Sequence, residues 1–379
     1  MKVLATLTYY YPHWTGLTAV ARYIAEGLAA RGHQVTVLTS RFRRDLPSIE
    51  VVNGVRVIRL PTLMRVSRGM VMPTYPLAAW KLIRTHDLVQ FHTPMLESWL
   101  ITLLADLAGK PSLMTHHGDL VMPAGLFNRL VEKTVTYQMR WAQRRADWIT
   151  AYTRDYAEHS VFLRPFLDKI VCIHPPVEFP RPNLDAAAAW RGELGLDRCR
   201  TVGFAGRWVE EKGFDVLLEA IPLVRKQITN VKFVYAGEVN VVYERFFDRC
   251  RPLLEAQRDH VVILGLILDR QRLAQFYALC DVFALPSRSD NFALTQVEAM
   301  LCGTPVVATD IPGARVAVKT TGMGVLVRPR NPESLAAGLV EVLSNRERYV
   351  RPYELIRSIF DPQQAISAYE DLMLKLARR

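Results

Sequence analysis

Leu285–Thr309 reads LPSRSDNFALTQVEAMLCGTPVVAT, an order of residue types that implies strand, loop, helix and strand again. Val282–Leu285 is an unbroken apolar run stopped by Pro286, the pattern of a strand buried on both faces. Ser287, Ser289, Asp290 and Asn291 are turn and cap formers. A helix is expected from Ala293 to Cys302, closed by Gly303 with Pro305 just beyond. Asp290 stands at the mouth of that helix, and Glu298 lies one to two turns inside it. The backbone N–H groups of Phe292–Thr295 have no intrahelical partner and face whatever occupies the mouth. Such an end receives an anion such as phosphate, and neighbouring carboxylates accept hydrogen bonds from hydroxyl groups.

The same alternation extends outward through the second half. TVGFAG (Thr201–Gly206), KFVYAG (Lys232–Gly237) and VVILG (Val261–Gly265) read as strands with helices between them. TVGFAG runs into Arg207, Lys212 and Gly213. An Arg and a Lys projecting from one loop can neutralise an anionic group such as a phosphate without a metal. The first half opens in the same way. Lys2–Thr8 is a strand, TYYYPHWTG is a loop ending at Gly16, and a helix is expected over Leu17–Arg31 before the strand QVTVLTS. VRVIRLPT, DLVQFHT, SLMTHHGD, DWITAYT and KIVCIHP supply further strands, of which Asp87–Thr93 and Ser112–Asp119 reach histidines at their ends. The fold class is therefore α/β in two Rossmann-like halves. A Pro-rich linker (Pro175, Pro176, Pro180, Pro182) sits between them.

At 379 residues each half can bury its own core. Half the residues are hydrophobic and 22% charged, which excludes a disordered chain. Five scattered cysteines without CxxC spacing argue for reduced thiols in a cytoplasmic setting. No apolar run reaches the ~18 residues of a membrane span, and the N-terminus lacks the pattern of a signal peptide. The net charge of +11 is uneven: residues 1–175 hold 21 Lys and Arg against 12 Asp and Glu, residues 176–379 hold 27 against 25. A basic first half implies an anionic partner, either a phospholipid surface, a lipid-linked phosphate acceptor or nucleic acid, or else a solvated basic face. Met64–Pro73, with Trp80, Lys81 and Arg84, reads either as a membrane-surface segment or as a partly buried connection.

Leu285–Thr309 resembles the E-x7-E segment of the retaining GT-B glycosyltransferases of family 4, the glycosyl transferases group 1. Pro286, Ser287, Phe292, Glu298, Ala299, Met300, Gly303, Pro305 and Val306 match. Asp290 stands where the family has its first Glu, and Asn291 and Ala293 replace the glycines flanking the Phe. Gly206–Gly213 is similar to the family's Gly-Arg-x4-Lys-Gly. The resemblance implies a GT-B fold, two Rossmann-like domains facing a cleft. Residues 1–175 would form the acceptor domain, 176–360 the nucleotide-sugar domain, and 361–379 a last helix crossing back to the first.

By the same resemblance, Arg207 and Lys212 hold the diphosphate of a UDP- or GDP-sugar, and Glu298 accepts from the ribose. Asp290 grips the donor sugar, aided by backbone amides at Asn291, Phe292, Ala293 and Leu294. Gly265 begins the loop that holds the nucleobase. His117, in preference to His116, faces the sugar from the first domain, and Gly16 leaves room for the phosphates. The implied reaction moves a hexose to a glycan or lipid-linked acceptor. No cofactor beyond the donor is implied, no metal because no DxD pair stands near the cations, and no nucleic acid. Alternatives are another enzyme on the same fold, such as an epimerase or a phosphorylase, or a non-catalytic sugar- or nucleic-acid-binding protein.

Overall fold

The computed structural model describes residues 1–66, 69–119, 126–239, 241 and 244–378. Ser67 and Arg68, inside the basic segment Met64–Pro73, lie outside the described residues. The chain forms two compact units, one of Met1–Pro176 with Pro362–Arg379, the other of Val177–Asp361.

The first unit runs β1 (Lys2–Thr6), α1 (Gly16–Ala30), β2 (Gln34–Ser40), β3 (Ile49–Val52), β4 (Val55–Leu60), β5 (Met64–Val66), β6 (Gly69–Val71), α2 (Tyr75–Ile83), β7 (Leu88–Thr93), α3 (Ser98–Leu107), β8 (Ser112–His116), α4 (Leu126–Arg145), β9 (Trp148–Ala151), α5 (Arg154–His159) and β10 (Ile170–Cys172). Its eight-stranded sheet has the order β10-β9-β8-β7-β1-β2-β4-β3. Every pairing is parallel except β3 with β4. β7 is buried at all six positions, as a parallel strand covered on both faces must be. β5 and β6, both within the basic-apolar segment, make a separate antiparallel ribbon. The strand order reverses between β1 and β7.

The second unit contains α6 (Leu184–Glu193), β11 (Arg200–Ala205), α7 (Phe214–Arg225), β12 (Val231–Ala236), α8 (Phe246–Ala256), β13 (Val261–Gly265), α9 (Arg270–Leu279), β14 (Val282–Leu285), α10 (Leu294–Leu301), β15 (Val306–Thr309), α11 (Ala314–Thr321), β16 (Gly324–Val327), α12 (Pro332–Ser344), α13 (Arg346–Tyr349) and α14 (Tyr353–Ile359). Its six strands are all parallel in the order β13-β12-β11-β14-β15-β16. Here the order reverses between β11 and β14. In open parallel sheets ligands gather outside the carboxyl ends of the strands at that reversal. The loops that leave β11 and β14 are the two carrying Arg207, Lys212 and Asp290.

The last helix, α15 (Pro362–Ala377), belongs to the first unit. Its stripe of Ile366, Tyr369, Leu372, Met373 and Leu376 is buried, and the Tyr369 hydroxyl lies 3.4 Å from Thr150 Oγ1 on β9. Arg31 and His33 both meet Glu370, at 2.7 and 2.6 Å. The close approach of α15 to α1 is made at Gly27, where an added Cβ would overlap the Ile366 side chain. Gly27→Val is expected to overpack this seam and to cost about 1–3 kcal/mol. A thermal melt of the first unit unchanged by Gly27→Val would show that the seam has slack.

Candidate active site

The loop after β11 is anchored by a tryptophan. Trp208 is fully buried, with its ring 3.6 Å from Phe214, 4.8 Å from Tyr235 and 5.0 Å from Phe247. The Tyr235 hydroxyl donates to the Gly206 carbonyl at 2.6 Å. Arg207 and Lys212 therefore leave a fixed backbone on either side of a core side chain. Gly213 then turns the chain into α7 at φ 68°, and a Cβ there would overlap the carbonyl oxygen of Pro286. Only glycine permits both that φ and that approach. The two loops touch through backbone, and the consequence is a short ion pair. Lys212 Nζ lies 2.6 Å from Asp290 Oδ2, and the Asp290 side chain is only 7% exposed.

Asp290 is also held locally. Its Oδ1 accepts from the Ala293 amide at 3.0 Å, and the Ser287 hydroxyl lies 3.4 Å from Oδ2. Burial works against the Lys212 ammonium, but the Asp290 and Glu211 carboxylates outweigh it and hold its pKa above the ordinary value. Arg207 reaches Glu211 at 3.3 Å. An ammonium and a guanidinium on one loop, facing a buried carboxylate, make a cradle in which cations and a hydrogen-bond acceptor stand side by side.

α10 begins one residue later than expected, with Ala293 as its N-cap and no side-chain cap. Ala293 stands at φ 55°, ψ 83°, in the left-handed region. The resemblance places glycine here, and the structure supplies the reason: a Cβ at such a φ costs about 1–2 kcal/mol. Ala293→Gly is expected to stabilise the second unit by roughly 0.5–1 kcal/mol after the extra freedom glycine gives the unfolded chain. A chemical denaturation midpoint that moved downward would contradict this. The Ala293 amide, expected to face a ligand, is taken by Asp290. Phe292 is fully buried, with its ring 5.6 Å from Phe360, so its side chain belongs to the core. Asn291 and Leu294 flank the same turn, with Gly313 from the next loop packed so closely that a Cβ would overlap the Asn291 carbonyl.

Glu298 lies on α10, and its Oε2 accepts from the Tyr277 hydroxyl at 2.8 Å. Burial raises the Glu298 pKa. Gly265 closes β13 at φ 76°, its carbonyl accepting from the Gly237 amide at 2.8 Å. The loop beyond it leaves Leu266 and Leu268 exposed.

Gly16 and His117 lie in the first unit. Gly16 is the first residue of α1 and not a loop glycine, because Thr15 caps the helix and exchanges hydrogen bonds with Thr18. His117 follows β8 with both ring nitrogens engaged, 2.8 Å from His92 Nδ1 and 2.5 Å from the Tyr152 hydroxyl. Burial drives His92 down to about 3 and His117 well below the usual histidine range, so both rings are neutral at pH 7. His116 is buried and bonded to Asp119 at 3.0 Å.

Sequence reasoning overlooked Glu97, at the start of α3 beyond β7. It is 9% exposed, its Oε2 meets no hydrogen-bond partner among the described residues, and burial lifts its pKa to about 7. Only its place after a buried strand marked it in the sequence.

Residues 14–181 match the family described as Glycosyltransferase Family 4, and residues 199–345 match Glycosyl transferases group 1. A D-inositol 3-phosphate glycosyltransferase of Segniliparus rotundus is 30% identical over 88% of this chain and 78% of its own length. The chain belongs to glycosyltransferase family 4. A phosphatidyl-myo-inositol mannosyltransferase of Mycobacterium leprae is 28% identical over 88% of the chain and 86% of its own length. This family 4 glycosyltransferase has the GT-B fold. It superposes on Anabaena HepE, solved in complex with UDP-glucose, at a TM-score of 0.77 with 18% identity, covering 99% of this chain and 100% of that one. The first match begins in the first unit and runs just past Pro176 into the second, the second match lies within the second unit, and both loops of the Lys212–Asp290 pair lie within the second match.

Proposed function

We propose that this glycosyltransferase moves a hexose from a UDP- or GDP-sugar to a phosphate-bearing polyol or lipid-linked glycan acceptor, with retention at the anomeric carbon. The observation that carries the reading is the Lys212–Asp290 pair beside Arg207 at the strand reversal of the second unit. Arg207 and Lys212 bind the diphosphate and stabilise its growing charge as it leaves. Asp290, released in part by that exchange of partners, accepts from the sugar hydroxyls, and Glu298 accepts from the ribose. The backbone of Asn291, Phe292 and Leu294 and of Gly265 completes the donor contacts. The acceptor oxygen bonds to the anomeric carbon as the bond to the phosphate oxygen breaks, and the leaving phosphate takes the acceptor's proton. The positive charge at the diphosphate comes from side chains, so transfer is expected to survive EDTA.

HepE binds UDP-glucose in its crystal structure, and the curated relatives act on inositol phosphate and phosphatidylinositol by name. These support the donor class and an anionic acceptor. Calorimetric titration with UDP and with GDP, separately, tests the reading. One nucleotide should bind; failure of both would overturn the donor assignment.

A lipid-linked acceptor is drawn, in this reading, from a membrane surface. On α4, Leu126, Leu130, Lys133, Tyr137, Arg140 and Arg144 recur at helical spacing and are all exposed, Leu126 at 89% and Tyr137 at 72%. A helix face of apolar anchors among cations suits the cytoplasmic, anionic face of a bilayer. Among the described residues no helix is long and apolar enough to cross one. Sedimentation with vesicles containing anionic lipid should carry the protein down at low salt, and vesicles of neutral lipid should not.

A further inference from the structure

We infer that Arg288 is a positioning residue for transfer: it clasps the loop that carries Asp290 to the loop that carries Lys212, and so sets the geometry of that pair. Arg288 stands in the loop after β14, two residues before Asp290. Its guanidinium meets the Asp215 carboxylate in a two-pronged arrangement, Nη1 to Oδ1 at 2.8 Å and Nη2 to Oδ2 at 2.5 Å. Nη1 also donates to the Glu210 carbonyl at 2.7 Å, and the Arg288 backbone amide donates to the Glu211 carbonyl at 2.7 Å. Every one of these bonds ends within residues 210–215, the segment that presents Lys212.

The environment decides that this contact holds. The side chains of Arg288 and Asp215 are 16% and 22% exposed. The neighbouring Arg249–Glu210 pair, at 64% and 49%, is surface chemistry that water and salt weaken. Two parallel N–H···O bonds fix angle as well as distance, which a lysine cannot reproduce. Asp215 lies in the first turn of α7, where a carboxylate also complements the helix dipole. The clasp therefore ties a rigid helix start to an irregular loop. A small lateral error between Lys212 and Asp290 would reach the diphosphate directly, and a misplacement of about 1 Å costs on the order of 100-fold in rate.

The inference rests on the roles proposed above for Lys212 and Asp290. UDP-glucose and GDP-mannose are the donor probes, with release of nucleoside diphosphate as the readout and far-UV circular dichroism confirming that each variant is folded at the assay temperature. Arg288→Gln and Asp215→Asn should each lower kcat by about 10- to 100-fold while donor KM moves less than threefold. The double variant should be no slower than either single, because the two groups act as one device. Arg288→Lys, which keeps the charge and loses the fork, should recover only a small part of the rate. Wild-type kcat in folded Arg288→Gln, full recovery in Arg288→Lys, or multiplicative losses in the double variant would overturn the clasp. Should Arg288→Gln fail to fold, the Arg288→Lys and Asp215→Asn rates decide alone. Lys212→Ala separates this from the underlying reading. If it leaves the rate intact, the assigned site falls; if it abolishes transfer while Arg288→Gln does not slow it, only the clasp falls.

Discussion

Lys212→Ala should cost this glycosyltransferase about 100- to 1,000-fold in kcat/KM for its donor, the scale expected when one charged group aimed at a developing anion is removed. On the proposed reading the loss should fall on kcat as well as on donor binding, since a leaving diphosphate gains negative charge along the reaction. The variant also strands Asp290, whose side chain is 7% exposed and whose pairing with the ammonium is 2.6 Å long. A buried carboxylate left without its counter-charge costs roughly 3–5 kcal/mol or takes up a proton instead. Adding Asp290→Asn to Lys212→Ala should therefore restore much of the lost stability and none of the activity. If the double variant regained transfer, the charge of Lys212 would be structural and its chemical role would fall.

Glu97→Gln should make the first unit more stable at pH 8 and change little at pH 5. Burial lifts the Glu97 carboxyl from 4.5 to about 7, and the Tyr75 phenol feels its charge. A raised carboxyl pKa means that the folded state keeps its proton longer than the unfolded chain. As pH climbs from about 4.5, the unfolded chain ionises first and stability falls, until the folded group ionises near 7 and the cost is complete. The full span corresponds to about 3 kcal/mol at most. Gln mimics the protonated acid and removes that dependence. Melting curves of the wild type and the variant at both pH values check it, and an equal difference at pH 5 and pH 8 would sink the claim.

The alternation of apolar runs and helices was legible because parallel strands buried on both faces must be apolar throughout, as Val282–Leu285 is. Small edge elements were not: β3 and the β5–β6 ribbon are three or four residues long and carry too little pattern. Arg207, Lys212, Asp290 and Glu298 could be named from the resemblance to the family's motifs, but the direct bond between Lys212 and Asp290 could not. Those residues are 78 positions apart, and their meeting depends on Gly213 passing against Pro286. Ala293 was visible as a departure from the family pattern; only its backbone angle shows what the departure costs. The His92–His117–Tyr152 chain depends on β7, β8 and β9 lying side by side, which sequence order alone does not state.

The return of α15 to the first unit has a consequence for synthesis. Tyr369 and its neighbours supply part of that unit's core, yet they are made only after the whole of the second unit. The second unit is continuous in sequence, from Val177 to Asp361, and can close as soon as it emerges. Chains that usually fold from the amino end inward thus meet the opposite order here. The half that is made first must wait, with the α15-facing side of α1 uncovered, for the half made second to be finished. Once residue 361 has emerged, the chain holds a complete second unit and an incomplete first one, and chaperone demand should concentrate in that interval.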